Sequence, residues 1–355
     1  MNDEIWVLGA TGRTGTAIAK NLAARGLKVG LVGRNAGKLE LLAKAVPGAR
    51  AIVAGTTAEM CDAITREAPK VVMNTIGPFT ETAVPIARAL PKGSHYVDLS
   101  NELKGIVDVL ALDEEARAAG KCLVPGAGYG FVSTESVVRA LCEGMPPAEK
   151  VRVDAIPFIG ESEGSDRIGE ALAASILDSL AYGGWEYSGG ALVRASLGGH
   201  PTRLKLPDGD ERSTGSTPLG DLVGAQRASG AAQVVAGSGE MPAGAVARAM
   251  LPVVGALLSW RPMRNFAVRQ MAKLKAPPPK KKEGFSWGHA RVEWADGRVK
   301  EGWFRTGDGM GFTCASAAEV CARLCSGAPK VGAFTAGDLW GAELARSLGA
   351  EIRIA

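Results

Sequence analysis

Apolar positions along the first third of the chain follow two alternating rhythms. Short runs at 5–8, 29–32, 51–53, 71–74, 96–99 and 122–124 are apolar nearly throughout and predict strands. Residues 14–24, 38–45, 83–90 and 110–119 carry apolar side chains at helical spacing instead. Strands that are apolar on both faces and alternate with helices belong to a parallel sheet covered on both sides. The fold class expected is therefore α/β, with a doubly wound parallel sheet at the N-terminus.

After about Gly130 the rhythm lengthens, and residues 288–294 and 302–305 resemble an antiparallel pair joined across Ala295-Asp296-Gly297-Arg298. A second, mixed α+β domain is expected to hold the substrate. The boundaries read as 1–130 and 131–330, with 331–355 packing back on the first domain, where residues 337–348 form a helix ended by Gly349. The stretch 246–260 is strongly apolar but contains Arg248, and its uninterrupted part, 249–260, is too short to span a bilayer. It predicts a buried helix.

With 46% hydrophobic and 22% charged residues in 355, the composition suits two globular domains rather than a disordered chain or a coiled coil. The formal charge of +4 is more than accounted for by the lysines and arginines between Arg261 and Lys282, a segment with no acid. That segment includes Pro277-Pro278-Pro279 and suits either a solvated loop or a weak membrane-surface contact through 246–282. No module for reading nucleic acid accompanies it, so no nucleic-acid partner is expected. The six cysteines lack paired spacing and the chain opens on a charged tripeptide and a strand, which predicts free thiols and a cytoplasmic location. Cys321 and Cys325 share a helix face, but with only three histidines in the chain no metal site is expected.

Candidate chemistry starts at Gly9-Ala10-Thr11-Gly12-Arg13-Thr14-Gly15, between the first strand and the first helix. This is the Rossmann dinucleotide fingerprint in its required context: Gly9 for the tight turn, Gly12 for approach to the pyrophosphate, Gly15 for helix–strand packing. At the end of the second strand Arg34 and Asn35 stand where an acid would bind the ribose of NAD. An arginine there matches a 2′-phosphate, so the cofactor expected is NADP (NADPH), with Lys38 as a further cation. Asn74, Gly77 and Pro78 end the fourth strand at the carboxyl edge, where such sheets bind ligands.

Four runs carry a resemblance to a known family: GATGRTG from Gly9, NTIGPF from Asn74, HYVDLSNE from His95 and LVPGAGYG from Leu123. Together with GFTCASAAEVCARL from Gly311 and FTAGDLWGAEL from Phe334, they resemble the saccharopine dehydrogenase-like oxidoreductases, which include saccharopine reductases and trans-acting enoyl reductases. The Pro-rich stretch from Ala276 before Glu283-Gly284-Phe285-Ser286 is similar to one in the enoyl-reductase branch. The resemblance implies NADPH-dependent reduction of a C=N or C=C bond in a small metabolite or biosynthetic intermediate. A ketone reductase and a non-catalytic NADP-binding redox sensor are the alternatives.

No Tyr-x-x-x-Lys occurs, so the proton relay of short-chain dehydrogenases is absent. Tyr129, between glycines, is the first choice of donor. Tyr96 and Asp98, on one strand face, come next, with Glu135 and His200 behind them. Arg167, Arg194 and Arg203 are available for substrate carboxylates, and Leu172, Ile176, Leu177, Leu180 and Trp185 for an apolar channel. A homodimer is compatible with all of this.

Overall fold

The computed structural model describes residues 2–158, 160, 170–241, 245–274, 284–327 and 329–354. The chain begins with β1 (Asn2–Leu8), α1 (Arg13–Ala24), β2 (Val29–Gly33), α2 (Ala36–Ala45), β3 (Ala49–Val53), α3 (Thr57–Glu67), β4 (Pro69–Asn74), α4 (Phe79–Ala89), β5 (His95–Asp98), α5 (Leu103–Leu110), α6 (Asp113–Ala118) and β6 (Cys122–Val124). It continues through α7 (Tyr129–Cys142), β7 (Lys150–Ile156), α8 (Glu170–Tyr182), β8 (Gly184–Ser188), β9 (Ala191–Ala195), β10 (Thr202–Lys205), β11 (Glu211–Ser216), α9 (Asp221–Ser229), β12 (Gln233–Ser238), α10 (Ala245–Leu258) and α11 (Arg261–Met271). The last elements are β13 (Ser286–Glu293), β14 (Val299–Thr306), α12 (Gly309–Ser326), β15 (Gly332–Ala333), α13 (Ala336–Trp340), α14 (Glu343–Ser347) and β16 (Glu351–Ile354).

The chain divides into two compact units. The first comprises Met1–Ser100, Lys104–Tyr129 and Met310–Leu339. Its sheet is parallel in the order β15-β6-β5-β4-β1-β2-β3. Strand order reverses between β1 and β4, which places the ligand-binding crevice of a doubly wound sheet outside their carboxyl ends. The strands are buried as their composition requires: Trp6, Leu8, Val32 and Val72 lie in one core with Ile64 and Ile86 from the covering helices. Helix α3 is started by a capping box in which Thr56 and Glu59 satisfy each other's backbone N–H.

The second unit comprises Asn101–Leu103, Gly130–Gly309 and Trp340–Ala355. Its mixed sheet runs β10-β11-β12-β7-β13-β14-β16, with β8 pairing β12 and β9. The expected hairpin is present as β13 and β14, in antiparallel register across the turn at Gly297. Fully buried Asp154 on β7 ties this sheet together. Its carboxylate accepts from Arg152 Nε (2.9 Å) and Nη2 (2.8 Å), from Thr214 Oγ1 on β11 (2.7 Å), and faces His289 Nδ1 on β13 (3.2 Å). Nε2 of His289 meets Glu301 on β14 at 2.9 Å. Thr214 reaches Asp154 past β12 because residue 237 is glycine, where a Cβ would stand 2.3 Å from Asp154 Oδ1. Burial pushes the Asp154 carboxyl up, but the bonds from His289, Arg152 and Thr214 bring it below the usual carboxylate range.

Three expectations need correction. Residues 310–330 group with the first unit, because α12 buries Cys314, Ala317, Ala318, Cys321 and Leu324 and ion-pairs Glu319 with Arg25 beside α1. Residues 337–348 form two short helices, α13 and α14, instead of one, and the terminal strand β16 pairs with β14 in the second unit's sheet. The apolar stretch 249–260 is a helix buried on one side only, since Met250, Val253 and Leu257 are about half exposed. All six cysteines are free, and burial raises the Cys122 thiol to about 12.

Asp221, at the start of α9, is wholly buried and accepts from Thr134 Oγ1 at 2.6 Å. Burial outweighs the hydrogen bonds from Thr134 and Asn101 and raises its carboxyl to about 6. The folded state then holds this proton more tightly than the unfolded chain, so stability falls as pH rises from the usual carboxylate range to about 6 and is flat above it. Asp221→Asn is expected to remove this slope, a difference on the order of 3 kcal/mol above the transition. Urea denaturation of both proteins across this pH range measures it, and parallel profiles would exclude the assignment.

Candidate functional site at the carboxyl edge of the first sheet

The loop between β1 and α1 is shaped by close approach. Gly9 has φ of +75°, and a Cβ there would stand 2.7 Å from Thr75 Oγ1; one on Gly15 would stand 2.4 Å from the Gly9 carbonyl oxygen. Only glycine fits at either position. The N–H groups of Gly9 and Ala10 donate to the Val32 carbonyl, and that of Gly12 donates to Gly9, which fixes the turn against β2. Helix α1 starts on Gly12 without a side-chain cap, so its first-turn N–H groups are offered to an anion at the positive end of the helix dipole. Thr11 and Arg13 are exposed at the loop's surface, and Thr14 Oγ1 contacts Met310 Sδ at 3.7 Å.

Arg34, directly after β2, is exposed and has no hydrogen-bond or ion-pair partner among the described residues. Its Cβ lies beside Gly55 at the end of β3. The acid of that neighbourhood, Glu59, is committed to the cap of α3, accepting from Gly55 N (2.6 Å) and Thr56 N (3.3 Å). Asn35 is likewise committed, its side-chain oxygen accepting from Lys38 N at 2.9 Å to cap α2. The position thus offers an unpaired guanidinium and no acid to oppose a phosphate. A glycine cradle, an uncapped helix and a free arginine together fit a dinucleotide carrying a 2′-phosphate.

At the ends of β4, β5 and β6 a buried polar network sets the loops. The Asn74 amide donates to Thr82 Oγ1 and Tyr96 Oη, both at 3.1 Å, and its oxygen accepts from Ile76 N at 3.0 Å. The Tyr96 phenol donates to Asp98 Oδ2 at 2.9 Å, while Asp98 Oδ1 accepts from Ser100 N (2.8 Å) and Gly126 N (2.9 Å). Asn74, Tyr96 and Asp98 are fully buried. The sequence suggests Tyr96 and Asp98 as proton donors; the structure buries both and bonds them to each other and to the loops that follow their strands. Between these loops Thr75 bonds back to Leu8, and the Gly77–Pro78 peptide is cis.

Tyr129 is the first residue of α7. Its N–H donates to Thr313 Oγ1 on α12 at 3.0 Å, and its ring meets Phe312 edge-on at 6.5 Å. Thr75, Thr82, Met310 and Thr313 are participants that the sequence reading did not single out. Thr75 was legible inside the NTIGPF run and Thr313 inside the GFTCASAAEVCARL run, though neither run tells what its threonine bonds to.

The candidates in the second unit have partners of their own. Arg194 lies over the Trp185 ring at 4.3 Å and donates to the Tyr182 carbonyl, while Arg203 is exposed beside Glu211. Arg167 lies outside the described residues, as does the Leu172 side chain. His200 is exposed, with Nε2 2.9 Å from Glu186. Glu135 is buried in the middle of α7 and pairs with Arg139 rather than capping a helix. Trp185 stacks on Tyr182, Leu177 is buried, and Ile176 is partly exposed.

Arg34→Ala is expected to weaken NADPH binding by roughly tenfold to a hundredfold, the loss of one charge-assisted bidentate contact. NADH binding should change little. Calorimetric titration with each cofactor measures both, and equal weakening would remove Arg34 from the phosphate site.

Residues 5–124 match the family model described as the saccharopine dehydrogenase NADP binding domain. No curated protein matches the chain. Among solved structures, the apo saccharopine dehydrogenase (L-Glu forming) of Saccharomyces cerevisiae matches with a TM-score of 0.60 at 13% identity, covering 99% of each chain, which shows a shared fold. The serine dehydrogenase of Escherichia coli matches 34% of this chain and 80% of its own, with a TM-score of 0.31 at 14% identity. The cradle, the arginine and the family model agree: residues 5–124 form an NADP-binding domain of the saccharopine dehydrogenase type, and the chain is an NADP-dependent oxidoreductase.

Proposed function

We propose that the protein reduces a C=N or C=C bond of a small metabolite or biosynthetic intermediate at the expense of NADPH. The observation that carries this reading is the unpaired Arg34 beside a glycine cradle, opposite loops locked by the Asn74–Tyr96–Asp98 network. The bound cofactor supplies a hydride. Around it, the Gly9–Gly15 loop and the start of α1 bind the pyrophosphate, and Arg34 binds the 2′-phosphate. Asn74 and Asp98 hold the backbone after β4, β5 and β6 in one arrangement, which is the preorganisation that hydride transfer requires.

Tyr129 carries the proton in this reading. It follows directly on the loop that Asp98 fixes through Gly126 and Ala127, and Thr313 holds its backbone in place. The absence of a Tyr-x-x-x-Lys arrangement speaks against the ketone chemistry of short-chain dehydrogenases. The overall likeness to a saccharopine dehydrogenase favours a C=N substrate, while the engagement of Arg194 with Trp185 and of Arg203 with Glu211 supports a C=C substrate as the second class.

The test follows NADPH absorbance against panels of imines, enoyl thioesters and ketones. Oxidation with the first or second class is the expected outcome; turnover of ketones alone, or tight NADPH binding without turnover of any class, would sink the reading. With an active substrate in hand, Tyr129→Phe should lower kcat by about a hundredfold, the usual scale of one general acid, with NADPH affinity unchanged. An unaltered rate would move the proton to another group.

A further inference from the structure

Helices α10 and α11 form a hairpin in the second unit that packs on α8 by one side only. Leu251, Gly255 and Leu258 face inward and are buried, and Gly255 sits so close to α8 that a Cβ would stand 2.8 Å from the Leu180 carbonyl oxygen. Arg264 fixes α11 to the same helix through a two-pronged pair with Asp178. The opposite side is apolar and open. Met250, Val253 and Leu257, spaced i, i+3 and i+7 along α10, are each just over half exposed. Trp260 at the bend is 62% exposed and Phe266 on α11 is 59% exposed.

Charge distinguishes this surface from an ordinary apolar patch. Across the two helices and the turn after them, residues 245–274, the sequence holds five lysines and arginines and no acid. Arg261, Arg269 and Lys273 are exposed on the hairpin itself. Phe266 and Arg269 are one helical turn apart on α11 and Lys273 lies just past its end, so cations stand beside the apolar stripe. A second copy meeting this patch across a twofold axis would bring cation against cation. A surface with an aromatic at its bend, an apolar stripe and a cationic rim matches an anionic lipid surface, where apolar side chains enter the headgroup boundary and Lys and Arg meet phosphates. No described helix is long and apolar enough to cross a membrane, so the geometry is that of a helix pair lying in the interface.

We propose that the α10–α11 hairpin docks the protein on membranes rich in anionic lipid. The proposal is independent of which bond the enzyme reduces. The full-length protein is floated with vesicles of phosphatidylcholine alone and of phosphatidylcholine mixed with phosphatidylglycerol, at low and high salt. It should float with the anionic vesicles, much less with the neutral ones, and lose binding as salt rises. Trp260→Ser with Phe266→Ser should weaken partitioning at least about tenfold, since both apolar anchors are lost. Arg269→Glu with Lys273→Glu should abolish the preference for phosphatidylglycerol. Both double variants should keep the parent's NADPH affinity and melting temperature, which separates a docking defect from misfolding. A parent that does not float, or variants that float like it, would overturn the proposal. So would a concentration-dependent dimer in sedimentation that the Trp260→Ser, Phe266→Ser variant abolishes without any vesicle binding, because it would assign the surface to a second copy.

Discussion

The candidate site depends on how the Asp98 carboxylate satisfies its oxygens inside a sheet that excludes water. Buried acceptors left without donors cost about 1–3 kcal/mol each, so the backbone around them settles where donors can reach. Here the donors are the Tyr96 phenol and two backbone N–H groups, Ser100 and Gly126, from loops on different strands. Asn74 extends the chain through Tyr96 to Thr82 and Ile76. One side chain thereby sets the path of the backbone after β5 and β6 directly and after β4 through its neighbours. The crevice at the β1–β4 reversal takes its form from this polar chain as much as from the apolar core below it.

The second unit uses a buried carboxylate differently. Asp154 draws its donors from side chains on its own strand, β11 and β13, and through His289 reaches β14. Such an array specifies register more than it adds stability, since a sheet of apolar residues would be free to slip where this one is not. Asp98 shapes loops at an edge, whereas Asp154 pins strands to each other. Function is therefore expected to concentrate around the first and rigidity around the second.

Much of this was legible in the sequence where the cause was local. Strands buried on both faces appear as continuous apolar runs, and the glycine loop appears because its geometry excludes side chains. Helix α3 was not read as one, since Met60, Ala63 and Ile64 are its only buried large or apolar positions; the Thr56–Glu59 box was the available signal. Tyr96 and Asp98 were legible as a pair because residues two apart share a strand face, and in a sheet covered on both sides that face is interior. Helix α10 read as buried from its hydrophobicity, while among the described residues α8 and α11 pack on it and leave Met250, Val253 and Leu257 about half exposed. The return of α12 to the first unit depends on contacts nearly the whole chain apart, such as Arg25 with Glu319, which no window of sequence contains.

That return has a consequence for how the protein is made. The nucleotide-binding unit is discontinuous: its sheet takes its last strand, β15, and one of its covering helices, α12, from chain that follows residues 130–309, the largest segment of the second unit. Contacts of such long sequence separation form late and slowly. During synthesis the glycine loop emerges among the first residues, yet Met310 and Thr313, which contact Thr14 and Tyr129, leave the ribosome only near the end. The nascent first domain must therefore persist with an open flank while residues 130–309 are made, and the finished enzyme cannot be reduced to its N-terminal third without reopening that flank.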